Sequence, residues 1–138
     1  MNRLLLGNNW SWLRKLLVLS AMANSEENLY TNGDQEVHEL KSITLYTPLT
    51  AGSYLMSAVV KSTDTEATTC RVAFSKSNDD IITYFQMNRS DGNSVVSNEF
   101  TLAETSTVMY LYASDNYWPH ASGDTATFEN IKIIYKGS

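Results

Sequence analysis

The segment Gly52-Ser53-Tyr54-Leu55-Met56-Ser57-Ala58-Val59-Val60-Lys61-Ser62 alternates along its whole length. Tyr54, Met56, Ala58 and Val60 fall on one side and Leu55, Ser57, Val59 and Lys61 on the other, which is the two-residue period of a β-strand and not the period of a helix. The first set is the expected core face. Leu55 and Val59 then leave apolar area on the outer face, which predicts a homo-oligomer.

Working outward, similar runs occupy 40–49, 69–76, 81–88, 95–102, 107–114 and 125–135. Turn-forming clusters separate them: Ser62-Thr63-Asp64, Ser77-Asn78-Asp79-Asp80, Arg89-Ser90-Asp91-Gly92-Asn93, Glu104-Thr105-Ser106 and Ser122-Gly123-Asp124. About seven short strands at this spacing predict an all-β fold, a two-sheet antiparallel β-sandwich with Greek-key or jelly-roll connections. The expected single core contains Tyr54, Met56, Val60, Val72, Phe74, Phe100, Leu102, Tyr110, Phe128, Ile131 and Ile133.

Composition agrees with one folded domain. Of 138 residues, 43% are apolar and 18% charged, enough for a core and too few charges for a disordered chain. A net charge of −5 with no basic stripe argues against a nucleic-acid partner, because phosphate binding requires a cationic surface. Cys70 is the lone cysteine, so there is no internal disulfide, and no Cys/His spacing suggests a metal or cofactor.

The chain divides near residue 28. Residues 1–23 carry only Arg3, Arg14 and Lys15 as charges among Leu4, Leu5, Leu6, Trp10, Trp12, Leu13, Leu16, Leu17, Val18 and Leu19. The next segment is acidic, with Glu26, Glu27, Asp34, Glu36 and Glu39 around the turn Asn32-Gly33-Asp34, and reads as a linker or peripheral strand. Arg14-Lys15 before an apolar run that ends in Ala21-Met22-Ala23 has the pattern of a signal peptide. A membrane span needs about 20 continuous apolar residues, and Asn8, Asn9, Arg14 and Lys15 interrupt this one. The spacings Trp10, Leu13, Leu17, Ala21 and Trp12, Leu16, Leu19, Ala23 give a helix two apolar faces, which calls for burial on both. Such a helix packs on its own sandwich or in a neighbouring subunit. The expectation carried forward is an attachment arm over 1–27, anchored through Trp10, Trp12, Leu13, Leu16 and Leu17, ahead of a sandwich domain over 28–138.

The segment 52–62 resembles the "G-x-Y-x-L-S-x-x-V-K-S" strand of jelly-roll carbohydrate-binding modules and of related domains in bacteriophage structural proteins. Phe100-Thr101-Leu102 followed by Thr107-Val108-Met109-Tyr110-Leu111-Tyr112-Ala113 resembles the penultimate strands of that family, and Thr127-Phe128-Glu129-Asn130-Ile131-Lys132-Ile133 its closing strand. The resemblance covers roughly 40–138 and consists of core patterns, so it bears on fold more than on ligand. Met56 and Ala58 replace larger core residues, and the opening "N-L-x-x-N-x-x-F" is reduced to Asn28-Leu29-Tyr30-Thr31-Asn32-Gly33. The resemblance implies a structural calcium in many members; Glu129 is the one carry-over here, and it reads more simply as a surface carboxylate.

Candidates for catalysis are few. His38 and His120 lack partners by motif, Asp79, Asp80 and Asp91 sit where turns use aspartate, and Cys70 reads as a small buried residue, so no enzyme is expected. The best binding feature is Asp115-Asn116-Tyr117-Trp118-Pro119-His120. A ring stacked on a pyranose, with Asn, Asp and His meeting its hydroxyls, suits a saccharide, and Tyr84 and Tyr112 are candidates to extend the platform. Trp118 equally suits a place under the sandwich edge or in a neighbouring subunit. A short chain with this module behind an apolar arm resembles a bacteriophage virion surface protein, a capsid decoration, head fibre or tail component with other virion proteins as partners and a possible host-surface glycan. The alternative is a secreted, extracellular glycan-binding module behind a signal peptide.

Overall fold

The computed structural model of the chain describes residues 27–77, 80–116 and 121–137. Among them lie β1 (Gln35–His38), β2 (Leu40–Leu49), β3 (Gly52–Ser62), β4 (Thr69–Ser75), β5 (Ile81–Asn88), β6 (Val96–Leu102), β7 (Ser106–Tyr112) and β8 (Thr125–Gly137). They build two four-stranded sheets, β1-β8-β3-β6 and β2-β7-β4-β5, with antiparallel neighbours throughout. Every connection except the β4–β5 hairpin crosses from one sheet to the other, the winding of an eight-stranded jelly roll. The seven expected strands are all present, their ends displaced by no more than two residues. The eighth, β1, arises from the acidic stretch read as a linker or peripheral strand. The described residues contain no helix; the expected helical arm, with its anchor residues Trp10, Trp12, Leu13, Leu16 and Leu17, lies outside them.

The core follows the alternation of β3. Tyr54, Met56, Ala58 and Val60 are buried with Val72, Phe74, Phe100, Leu102, Phe128, Ile131 and Ile133 in one cluster between the sheets. Rings stitch the two layers together: Phe100 of one sheet stacks on Phe74 and Phe85 of the other at 4.5 and 5.2 Å, and Tyr54 stacks on Phe100 at 5.4 Å. Such pairs add about 0.5–1.5 kcal/mol each beyond their area burial. Gly52 starts β3 in a positive-φ conformation, and a Cβ there would come within 2.7 Å of the Tyr135 ring.

Two expectations about faces are corrected. Tyr110 is buried outside the main core, in a second cluster with Ala73, Val108 and Tyr112, because Met109 and Leu111 take the inward positions of β7. Val59 is buried and Leu55 half-buried, so the open apolar area expected on the outer side of β3 is reduced. The 89–94 turn runs alongside Val59: Ser90 donates its backbone N–H to Val60 O, and its Oγ accepts the Val60 N–H, both at 2.8 Å.

The entry to the sandwich is fastened by side chains acting as substitute strands. Asn28 Nδ2 donates to Ile131 O at 3.0 Å and Asn28 Oδ1 accepts from Ile133 N at 2.9 Å, closing the edge of β8 beyond the end of β1. Asn32 does the same for β2, donating to Thr44 O at 2.8 Å and accepting from Tyr46 N at 3.2 Å where the β2–β7 register breaks. Exposed strand edges invite unwanted pairing, and these amides occupy their polar groups.

Candidate functional site

The outer side of the β2-β7-β4-β5 sheet holds the described part of the expected binding site. Along β4, Cys70, Val72 and Phe74 face the core, which turns Arg71, Ala73 and Ser75 outward. The register sets Arg71 opposite Gln86 and Ala73 opposite Tyr84 on β5, with Tyr110 on the far side of Ala73 on β7. Ala73 itself is covered, at 1% exposure. Tyr84 is 53% exposed, and the Arg71 guanidinium carbon lies 4.2 Å from its ring centroid. That distance is a cation–π contact, which fixes the ring orientation.

The loop after β7 is tied to the same place. Gln86 Nε2 donates to Asp115 O at 2.8 Å, and the next residue, Asn116, is exposed. The bond ties Asp115, and with it the start of the 115–120 loop, to Gln86, two positions from Tyr84 on the same outward phase of β5. Tyr112 shares the face but retains only 4% of its surface, so its ring is not open as a platform. Trp118, Tyr117 and His120 lie outside the described residues.

The remaining candidates are engaged otherwise. His38 Nε2 lies 3.2 Å from Glu36 on the exposed side of β1. Asp80 pairs with Lys76 at 3.4 Å, and Lys76 also meets Glu104 at 3.3 Å; the Glu104 and Asp80 carboxylates raise the lysine pKa. Asp91 is exposed in its turn, where its backbone N–H bonds Ser94 Oγ at 2.9 Å. Cys70 is fully buried with its thiol 3.8 Å from Ala113 O, and burial pushes its pKa up, opposite to what a nucleophilic thiol needs. Glu129 is half-buried on β8. Among the described residues no three His, Cys, Asp or Glu side chains gather as a metal site, and no helix is long and apolar enough to cross a membrane.

No protein-family model and no curated protein matches the sequence. Among solved structures, the chain is similar to an arginine-to-alanine mutant of a family 29 carbohydrate-binding module, at 15% identity and TM-score 0.47, over 79% of this chain and 75% of that one. An aspartate-to-alanine mutant of the same module gives 16% identity and TM-score 0.46, over 79% and 70%. The module CBM6cm-2 from Cellvibrio mixtus lichenase 5A, in complex with cellotriose, gives 14% identity and TM-score 0.41, over 81% and 86%. All three are carbohydrate-binding modules.

Arg71 and Gln86 join the candidate site without having been singled out from sequence, whereas Asp115 stood in the binding stretch read there. The signal for Arg71 was a charged residue at the outward phase of a strand otherwise apolar or small, Cys70 to Phe74. Gln86 had the same phase as Tyr84 two positions earlier, which places both on one face once the strand is granted.

Proposed function

We propose that the chain is a non-catalytic glycan-binding β-sandwich whose recognition face is the outer side of the β2-β7-β4-β5 sheet. The observation that carries this reading is Tyr84, half-exposed on that face and held by Arg71 at 4.2 Å. A fixed ring offers a flat apolar surface to the C–H face of a pyranose, and an orientation set beforehand lowers the ordering cost of binding. Gln86 and Asn116, both exposed, supply amide donors and acceptors for hydroxyls. Tyr117, Trp118 and His120 extend the same set in sequence.

Removing the platform tests the proposal. Tyr84→Ala is expected to weaken binding on a glycan array by about tenfold or more, with little change in melting temperature because the ring is half-exposed and outside the core. A wild-type chain that binds no saccharide on the array overturns it. Trp118→Ala is the companion measurement: lost binding at unchanged stability adds Trp118 to the site, and lost stability assigns it to packing.

A virion-surface role, with the N-terminal arm as anchor, is the placement we infer for this module. It is supported by the sequence resemblance and by the apolar 1–23 stretch. Co-sedimentation of the native chain with a large particle is the expected result. A free chain whose mature N-terminus follows Ala23 favours the secreted alternative.

A further inference from the structure

Asn32-Gly33 is the sole Asn-Gly pair in the chain, and the glycan reading makes no use of it. We propose that Asn32 is a deamidation site in the folded protein and that its conversion releases the outer edge of β2.

Three features converge on this asparagine. Its side-chain carbonyl Oδ1 accepts a hydrogen bond from Tyr46 N at 3.2 Å, which polarises the Cγ–Oδ1 bond toward attack and would share the negative charge that develops on Oδ1. The neighbouring nitrogen belongs to a glycine at φ +81 with nothing within 4 Å of a Cβ position, so no side chain obstructs its approach. Among the described residues none accepts a hydrogen bond from the Gly33 N–H, which leaves that nitrogen uncommitted.

The chemistry is closed within the dipeptide and water. Gly33 N attacks Asn32 Cγ, the new N–Cγ bond forms, the Cγ–Nδ2 bond breaks, and Nδ2 leaves as ammonia with the proton that Gly33 N gives up. Water then opens the succinimide at either carbonyl, giving aspartate or its isoaspartyl isomer. In the aspartate product a carboxylate oxygen takes the place of the Nδ2 donor and faces the Thr44 carbonyl, so the 2.8 Å bond is lost and two acceptors oppose each other; in the isoaspartyl product Cγ is bonded to Gly33 N and the carboxylate sits on Cα, so the Nδ2 donor is lost there too. The isoaspartyl form also adds a backbone carbon, which displaces the bond to Tyr46 N. Asn28, which caps β8 with the same amide geometry, is followed by Leu29 and serves as the internal control.

The test is an incubation of the full chain at mildly alkaline pH, kept folded as judged by circular dichroism, with peptide mapping at intervals and a parallel sample in urea. The expected result is an acidic product at Asn32 and not at Asn28, eluting in ion exchange with one negative charge beyond the formal −5. The isolated isoaspartyl fraction is expected to lose hydrogen-exchange protection at the Tyr46 N–H and to melt at a lower temperature. Asn32→Asp, which delivers the acid directly, is expected to lower the melting temperature as well. Asn32 remaining intact in the folded chain after the interval that converts it in urea overturns the proposal. So does a converted chain with the Tyr46 N–H still protected and an unchanged melting temperature.

Discussion

Phe128 loses all solvent exposure between β1 and β3, facing Gln35 on one side and Val60 on the other. Its truncation to alanine leaves a cavity lined by both sheets, and the expected cost is about 3–5 kcal/mol in denaturant unfolding. An unchanged midpoint would contradict its place in the core. Cys70 supplies a second measurement. Burial raises its thiol pKa, with Arg89 and Ser62 opposing, and burial likewise raises Tyr30 and Tyr54. In each case the folded state holds its proton longer than the unfolded chain does. The associated stability is therefore complete below the ordinary thiol value of 9.0, and is lost as pH rises past it and past the ordinary phenol value of 10.0. Unfolding free energies measured at increasing alkaline pH should fall in that order, and Cys70→Ala should remove the first part of the decline. In the folded chain at neutral pH, a thiol-selective reagent should label Cys70 only through unfolding.

Residue phase was readable in β3 because large apolar groups alternate there with Ser57 and Lys61, and the phase of a strand is the phase of its core. The same argument failed for β7. Val108, Met109, Tyr110, Leu111 and Tyr112 are all apolar or aromatic and all buried, so alternation gave no contrast and Tyr110 was placed in the wrong layer. β1 was hidden for a different reason: four residues with Glu36 and His38 exposed present only Gln35 and Val37 as inward groups, too little for a periodic signal. What the sequence did offer nearby was Asn28 and Asn32, whose amides finish two strand edges, and a function of that kind depends on partners about 100 residues away in the first case and 12 in the second. Asn28→Ala removes both bonds to β8 and leaves Ile131 O and Ile133 N without that partner, at an expected cost of about 1–3 kcal/mol by thermal or chemical unfolding. The candidate site shows the same limit, since Tyr84 and Asn116 were nameable from composition while Arg71 and Gln86 became part of it only through the register of β4 with β5.

For the molecule as a whole, the two sheets are closed by contacts that begin at Asn28 and Leu29, whose backbone N–H donates to Ile133 O at 2.8 Å. Deleting residues 1–27 is therefore expected to leave a cooperatively folding sandwich with a melting temperature close to that of the full chain. A large loss of stability would show that the apolar N-terminal stretch belongs to the domain's own interior. The strand order has a consequence for biosynthesis. β8 lies between β1 and β3, so Gln35 and Tyr54, synthesised early, wait for Phe128 and Tyr135, made some 80 to 90 residues later. While the ribosome is still short of residue 125, β3 has only β6 to pair with, and the apolar side of that half-built sheet stays open to water and to chaperones. Nascent chains stalled before residue 125 should thus remain protease-sensitive, with resistance appearing only once the last strand has cleared the exit tunnel.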